Sequence, residues 1–261
     1  MPETTLSLAI VGPGLIGTSV ALAARRRWPD LVVRTVDRGQ RLNVIGDATV
    51  VVLAAPVDAI LDAIPQLPDA VQPQALVLDT GSTKRAIMAA AATARLSQFV
   101  GGHPMAGGTT IAEARADLFD GKPWFLSSPD APEALTRAVK FVEALGAVPV
   151  PLSDAGEQHD RMMAAISHLP QITAAVLMTV VARAAGEDNL HWSGQGLRDT
   201  TRLAGSPASV WRSILSSNRD EIRPLLKDLA SELSSIADAL DDREVVGSLF
   251  ERANRARSAL K

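Results

Sequence analysis

The chain has 261 residues, 47% of them hydrophobic and 21% charged, the balance of a globular protein rather than a disordered or fibrous one. A formal net charge of −3 argues against a polyanionic partner, and the lack of cysteine excludes disulfides, thiolate metal sites and a cysteine nucleophile. The opening residues lack a secretory leader pattern and no uninterrupted apolar run of about eighteen residues occurs. The expectation is therefore a cytoplasmic protein that acts on a small molecule, with neither a nucleic-acid nor a membrane partner.

In chain order, "LSLAIVG" is a short apolar run ending at glycine, and "TSVALAARRR" carries a helical period, so the chain opens strand, turn, helix. "LVVRTVD" reads as a second strand. "TVVVLAAPV" and "ALVLDTGS" are continuous apolar runs, the pattern of strands buried on both faces of a parallel sheet, with the helical "DAILDAIPQL" between them. The first half is thus α/β, a doubly wound Rossmann-type parallel sheet. "RGQRLNVIGDAT" leaves too little chain after the second strand for the usual helix and third strand, so the sheet is expected to be shortened there.

After "GAVPVPL" the texture becomes helical, which sets expected domains of 1–151 and 152–261. Asp154 and Glu157 have capping-box spacing at the head of a long helix, which Pro170 must kink. Ser206 and Pro207 read as the N-cap and first residue of another helix, followed by amphipathic segments at roughly 219–240 and 242–260. Such helices, with no sheet to cover, are expected to form an isologous homodimer.

"VGPGLIG" provides Gly12, Gly14 and Gly17 after a strand and at the head of a helix, with Leu15 and Ile16 between the last two. That order permits a tight turn, a close backbone approach to a pyrophosphate, and close packing of helix on strand. Asp37 ends the second strand twenty residues after Gly17, where a carboxylate can accept from both ribose hydroxyls. This favours NAD over NADP; Arg38 could hold a 2′-phosphate or stack on adenine, which leaves NADP open. Ala54, Ala55 and Pro56 end another strand and are expected to touch the cofactor through backbone, with Thr80 behind them. No spacing of histidine and carboxylate suits a metal.

These segments, together with "DTGSTK" at 79–84, "GGHPMAGG" at 101–108, "DLFDGKPWFL" at 117–126, "SHLPQ" at 167–171 and "GLRDTTRLAGSPASVW" at 196–211, resemble the prephenate and arogenate dehydrogenases of tyrosine biosynthesis. The resemblance runs over nearly the whole chain. It implies a dinucleotide-binding domain followed by a helical dimerisation domain. The implied reaction is oxidative decarboxylation of a cyclohexadienol, prephenate to 4-hydroxyphenylpyruvate or arogenate to tyrosine. It also implies that His103 accepts a hydrogen bond from the ring hydroxyl, that Ser82 bonds both that hydroxyl and His103, and that Arg202 binds the ring carboxylate.

Asp199, three residues before Arg202, could hold the guanidinium. Ser82 could instead cap the following helix. Trp211 matches a tryptophan that reaches the partner's active site, or it packs in the core. Ser167 and His168 precede the kink, and Gln171 stands where prephenate-specific members often carry a second histidine, so it is expected near the substrate side chain. His159 and His191 read as ordinary polar residues. Neither a fused mutase domain nor a C-terminal regulatory domain is expected. Two alternatives are carried: a β-hydroxyacid or 6-phosphogluconate-type dehydrogenase, disfavoured because the second half is poor in lysine before Lys227, and a non-catalytic dinucleotide-binding sensor.

Overall fold

The structure is a computed structural model that describes residues 6–107 and 113–260; Gly108, which ends the "GGHPMAGG" motif, and the opening residues 1–5 lie outside the described residues. Seven strands form one sheet in the order β2-β1-β3-β4-β5-β6-β7. They are β1 Ser7–Val11, β2 Val32–Val36, β3 Val50–Leu53, β4 Leu76–Asp79, β5 Phe99–Pro104, β6 Pro123–Ser127 and β7 Val148–Leu152. The first five run parallel, β6 runs antiparallel to β5, and β7 is parallel to β6. The first four strands are recognisable from their β-forming residues, β3 and β4 as continuous apolar runs. The other three are missed because "FVGGHP", "PWFLS" and "VPVPL" carry glycine or proline in place of a simple β pattern.

Alternate residues of the apolar strands supply the cores of two opposite faces. Leu8, Ile10, Val52 and Leu78 join the layer beneath α1 (Leu15–Arg27) and α4 (Pro132–Ala144), whereas Ala9, Val51, Leu53 and Val77 pack beneath α2 (Val57–Ala63) and α3 (Arg85–Thr93). Each large aliphatic buried in this way contributes about 1.5–3 kcal/mol. This double burial is why the strands read as unbroken apolar runs. The shortening after β2 is as expected: only a 3₁₀ turn at Leu42–Ile45 crosses to β3, and β2 is the sheet edge.

The rest is helical: α5 Glu157–Met163, α6 Leu169–Ala185, α7 Gln195–Thr201, α8 Ala208–Ser217, α9 Arg219–Asp238 and α10 Arg243–Arg257. A π-helical turn at Ala164–His168 joins α5 to α6 and ends two residues before Pro170. The turn supplies the break that the proline demands, because it removes the need for the missing N–H. The whole run Glu157–Ala185 is long and apolar enough to cross a membrane by length and composition alone, which a search for uninterrupted apolar residues does not pick up, and only 22% of its apolar window is buried.

Two capping expectations need correction. Gly156, at φ +107°, is the N-cap of α5, and Asp154 accepts from the N–H groups of Gly156 (2.9 Å) and Gln158 (2.7 Å), so the cap is an aspartate loop and not a box with Glu157. Pro207, and not Ser206, precedes the first residue of α8; the Ser206 hydroxyl donates to Gln171.

Candidate active site

Three strand ends meet the glycine turn. Gly12 N–H donates to Val36 O at 2.9 Å and Ala54 N–H to Val11 O at 2.7 Å, which aligns the carboxyl ends of β1, β2 and β3. Gly12 has φ +95° and a Cβ there would lie 2.6 Å from Ala54 O; one on Gly17 would lie 2.2 Å from Gly12 O. Only glycine fits either place. Gly14 is the reverse: a Cβ would meet nothing, and as N-cap of α1 it leaves the helix's first N–H groups without a side-chain acceptor. An open approach to unpaired N–H groups at a helix N-terminus is what a pyrophosphate requires, so these residues fit a dinucleotide.

The turn opens on a cleft of about 860 Å³ lined by Gly12, Gly14, Asp37, Arg38 and the Ala54–Pro56 backbone. Its far wall is α8, which contributes Ser209, Arg212 and Ser213. Sequence reasoning missed Arg212. Its only signal was its place beside Trp211. Asp37 accepts from Arg38 N–H at 2.6 Å, and its own N–H donates to Gln40 at 2.8 Å. Leu15, Ile16 and Thr80 do not line this cleft: Ile16 packs onto the core, and Thr80 N–H bonds Leu53 O at 3.0 Å.

Beyond the cleft lies a cluster of buried polar groups. His103 stands on β5, opposite Phe125 of β6, so it belongs to a strand and not to a loop. The preceding glycine lets β5 close on β4: a Cβ on Gly102 would fall 2.4 Å from Asp79 O, and its N–H donates to Asp79 Oδ1 at 2.9 Å. Asp79 also accepts from Gly81 N–H at 2.7 Å and from the Lys84 ammonium. Burial pushes the Asp79 carboxyl up and the Lys84 ammonium down, while their mutual attraction works against both shifts.

His103 Nδ1 lies 2.9 Å from His159 Nε2, and His159 Nδ1 lies 2.8 Å from Asp160 Oδ1. Asp160 also accepts from the N–H groups of Lys84 (2.7 Å) and Arg85 (3.0 Å), so it caps α3 from across the molecule. Gly156 makes this approach possible, since a Cβ there would sit 2.5 Å from Lys84 Cβ. Asn218 completes the cluster, donating to Asp160 O at 2.7 Å and to His168 Nδ1 at 3.2 Å.

Burial holds His103 well below the ordinary histidine value, helped by His159, Lys84 and His168. It lowers His159 as well, and takes His168 to about 4. Burial alone would raise Asp160, but hydrogen bonds from His159, Lys84 and Arg85 outweigh it and hold the carboxyl below its usual range. A neutral imidazole backed by an anionic carboxylate is a proton acceptor at ordinary pH.

Comparison with known proteins supplies the family. The model of the prephenate dehydrogenase nucleotide-binding domain matches residues 23–150, and that of the prephenate dehydrogenase dimerization domain matches residues 155–252. The prephenate dehydrogenase of Bacillus subtilis (strain 168) is 30% identical over 286 residues, covering 97% of this chain and 76% of the relative. This chain belongs to the prephenate dehydrogenase family. A cyclohexadienyl dehydrogenase of Zymomonas mobilis is 28% identical over 97% of this chain and 96% of its own length. The Synechocystis arogenate dehydrogenase structure superposes with a TM-score of 0.82 at 27% identity, covering 98% of this chain and all of the other. The chain is thus an oxidoreductase of the group that includes prephenate, cyclohexadienyl and arogenate dehydrogenases.

Against the family expectation, the remaining residues fall out unevenly. Ser82 follows β4, as expected, but makes no hydrogen bond to His103 among the described residues, and Lys84, not Ser82, is the N-cap of α3. Arg202 opens a 3₁₀ turn (Arg202–Gly205) after α7 and is exposed, with no ion pair among the described residues. The expected Asp199–Arg202 pair is not formed: Asp199 accepts from Gln195 at 2.7 Å, and the backbone leaves the helical region between the two, at Thr201 (φ −98°, ψ 3°).

Gln171 is tied to the same turn. It is buried, its amide N–H donates to Leu203 O at 2.7 Å, and its carbonyl accepts from Ser206 at 3.3 Å. Each end of the amide thus has one partner at the turn that carries Arg202. Trp211 packs edge-on against His168 of its own chain, with ring centroids 5.9 Å apart. Ser167 is half-buried in the π turn, His168 is buried beside it, and His191 bonds Asp188 O on the surface. His159, read from the sequence as an ordinary polar residue, is fully buried against His103.

Proposed function

We propose that this protein catalyses the oxidative decarboxylation of prephenate or arogenate, using NAD held in the cleft between the glycine turn and α8. The observation that carries the reading is His103, neutral and backed by His159 and Asp160, at the carboxyl end of the sheet whose β1 and β3 ends line the glycine-turn cleft. The bound nucleotide supplies the hydride acceptor. His103 takes the substrate's hydroxyl proton as that oxygen gains carbonyl character, and returns it when the ring becomes aromatic and the oxygen phenolic. Arg202 holds the ring carboxylate until it leaves as carbon dioxide, its bond electrons entering the ring; a planar guanidinium suits that group. Ser82 orients the hydroxyl toward His103.

On this reading residues 1–151 bind the nucleotide and 152–261 complete the substrate site and dimerise. The match to the dimerization domain and the exposed Ile166, Val176, Val180, Leu233 and Phe250 support an isologous homodimer. The test is the initial rate of NADH formation with prephenate and with arogenate, each repeated with NADP, beside a His103→Asn variant. Turnover of one substrate that the variant abolishes is the expected result. Equal rates in both proteins, or no reduction with either substrate, would refute the reading.

A further inference from the structure

We propose that His159, anchored by Asp160, is a positioning residue that fixes the tautomer of His103, so that the ring presents a bare Nε2 to the substrate. This rests on the reading of His103 as the group that faces the substrate hydroxyl. The argument follows the hydrogen bonds outward from the carboxylate. Asp160 Oδ1 accepts from the Lys84 N–H, and its only ring partner among the described residues is His159 Nδ1 at 2.8 Å. An ionised carboxylate can only accept, so His159 carries its proton on Nδ1. In a neutral ring Nε2 is then a lone pair, and it lies 2.9 Å from His103 Nδ1. That contact is a hydrogen bond only if His103 Nδ1 is the donor. Neutral His103 therefore has its lone pair on Nε2, which makes no hydrogen bond among the described residues.

The alternative tautomer would set two lone pairs against each other in a buried site and offer the substrate hydroxyl a donor. A ring nitrogen that already carries a proton cannot accept another. The same logic explains why a carboxylate fixes the imidazole in hydrolase triads, with one more ring interposed here. The charged and titratable groups around His103 and His159 do not disturb the assignment. Lys84 and Asp79 lie on the β4–α3 side and are paired with each other; His168, from the π turn, has its Nδ1 occupied by the Asn218 amide. Lys84, His159 and His168 all favour a neutral His103. The sequence signal was slight: a His-Asp dipeptide after a glycine, in a stretch whose helical period explained everything else.

The test uses the full chain with ¹⁵N-labelled histidine. Long-range proton–nitrogen spectra read which nitrogen of each ring carries the proton, and His103→Asn assigns the signals. In the wild type the His103 proton should sit on Nδ1. In His159→Phe, which fills similar space without an acceptor, it should move to Nε2, and kcat should fall about 100-fold, the scale of a lost general base. His159→Gln, whose amide oxygen can accept where Nε2 did, should restore the tautomer and much of the rate. A wild-type His103 protonated on Nε2 would overturn the proposal, as would a folded His159→Phe with unchanged tautomer and kcat. The wild-type spectrum and His159→Gln decide the matter even if His159→Phe does not fold. Since the spectrum needs no turnover, an Nδ1 proton in a protein that reduces no NAD would uphold this inference and refute the proposed reaction.

Discussion

Replacing His168 with asparagine should alter how stability responds to acid more than it alters stability itself. His168 is buried, and its value falls from the ordinary 6.5 to about 4 because burial disfavours the charged ring and His159 adds repulsion. A group with a depressed folded value binds its proton first in the unfolded chain. Its contribution is therefore fully present above pH 6.5 and is lost as pH falls toward 4. At about 1.4 kcal/mol per pH unit, the wild type should lose about 3 kcal/mol over that window on account of this one side chain. His168→Asn keeps an acceptor for the Asn218 amide but cannot titrate, while His103 and His159 are present in both proteins. Urea unfolding at pH 7.5 and 4.5 should show the wild-type advantage shrinking by about 2–3 kcal/mol on acidification. A difference that stays constant between the two pH values would refute the assignment of His168 as a buried neutral ring.

Lys84→Met should destabilise by about 3–5 kcal/mol in the same assay, because it strands the buried Asp79 carboxylate without its cation. Gly17→Ala should abolish dinucleotide binding, measured by NADH fluorescence, and lower the melting temperature; its methyl would sit 2.2 Å from Gly12 O, so the turn must open. Arg212→Ala should weaken NADH binding about tenfold with no change in the unfolding midpoint, since this exposed guanidinium lines the cleft and has no ion pair among the described residues.

The first four strands, the glycine turn and the shortened crossover were legible because each depends on local chemistry. Runs of β-forming residues, buried on both faces in β3 and β4, a glycine order that only one turn accepts, and a chain too short for another strand all declare themselves within a dozen residues. The later strands were not legible for the same reason in reverse. β5 gives up a side chain at Gly102 to approach Asp79 and another at Gly101 beneath Met88 and Lys84, so the residues that let the strand close in erase the pattern that would announce it. Likewise Asp154 was seen as a capping residue but assigned the wrong geometry, because the positive φ of Gly156 answers to Lys84, which lies 72 residues away in sequence.

The site itself divides along the same line. His103 could be chosen from the sequence because the glycine pair and proline around it form a recognisable segment, and Arg202 because its own motif is long. The groups bonded to His103 lie elsewhere: His159 is 56 residues away and Asp160 next to it, both on a helix whose amphipathic period accounts for them as ordinary polar positions. Contacts of this range depend on where α5 docks against β5 and α3, and that docking is decided by Asp160 capping α3 and by the space at Gly156. Gln171 shows the converse. Its position in the motif points to the substrate, yet the carbonyl of Leu203 and the hydroxyl of Ser206 hold both ends of its amide. Its tie to the turn that bears Arg202 depends on a contact across 32 residues of sequence, which no local pattern announces.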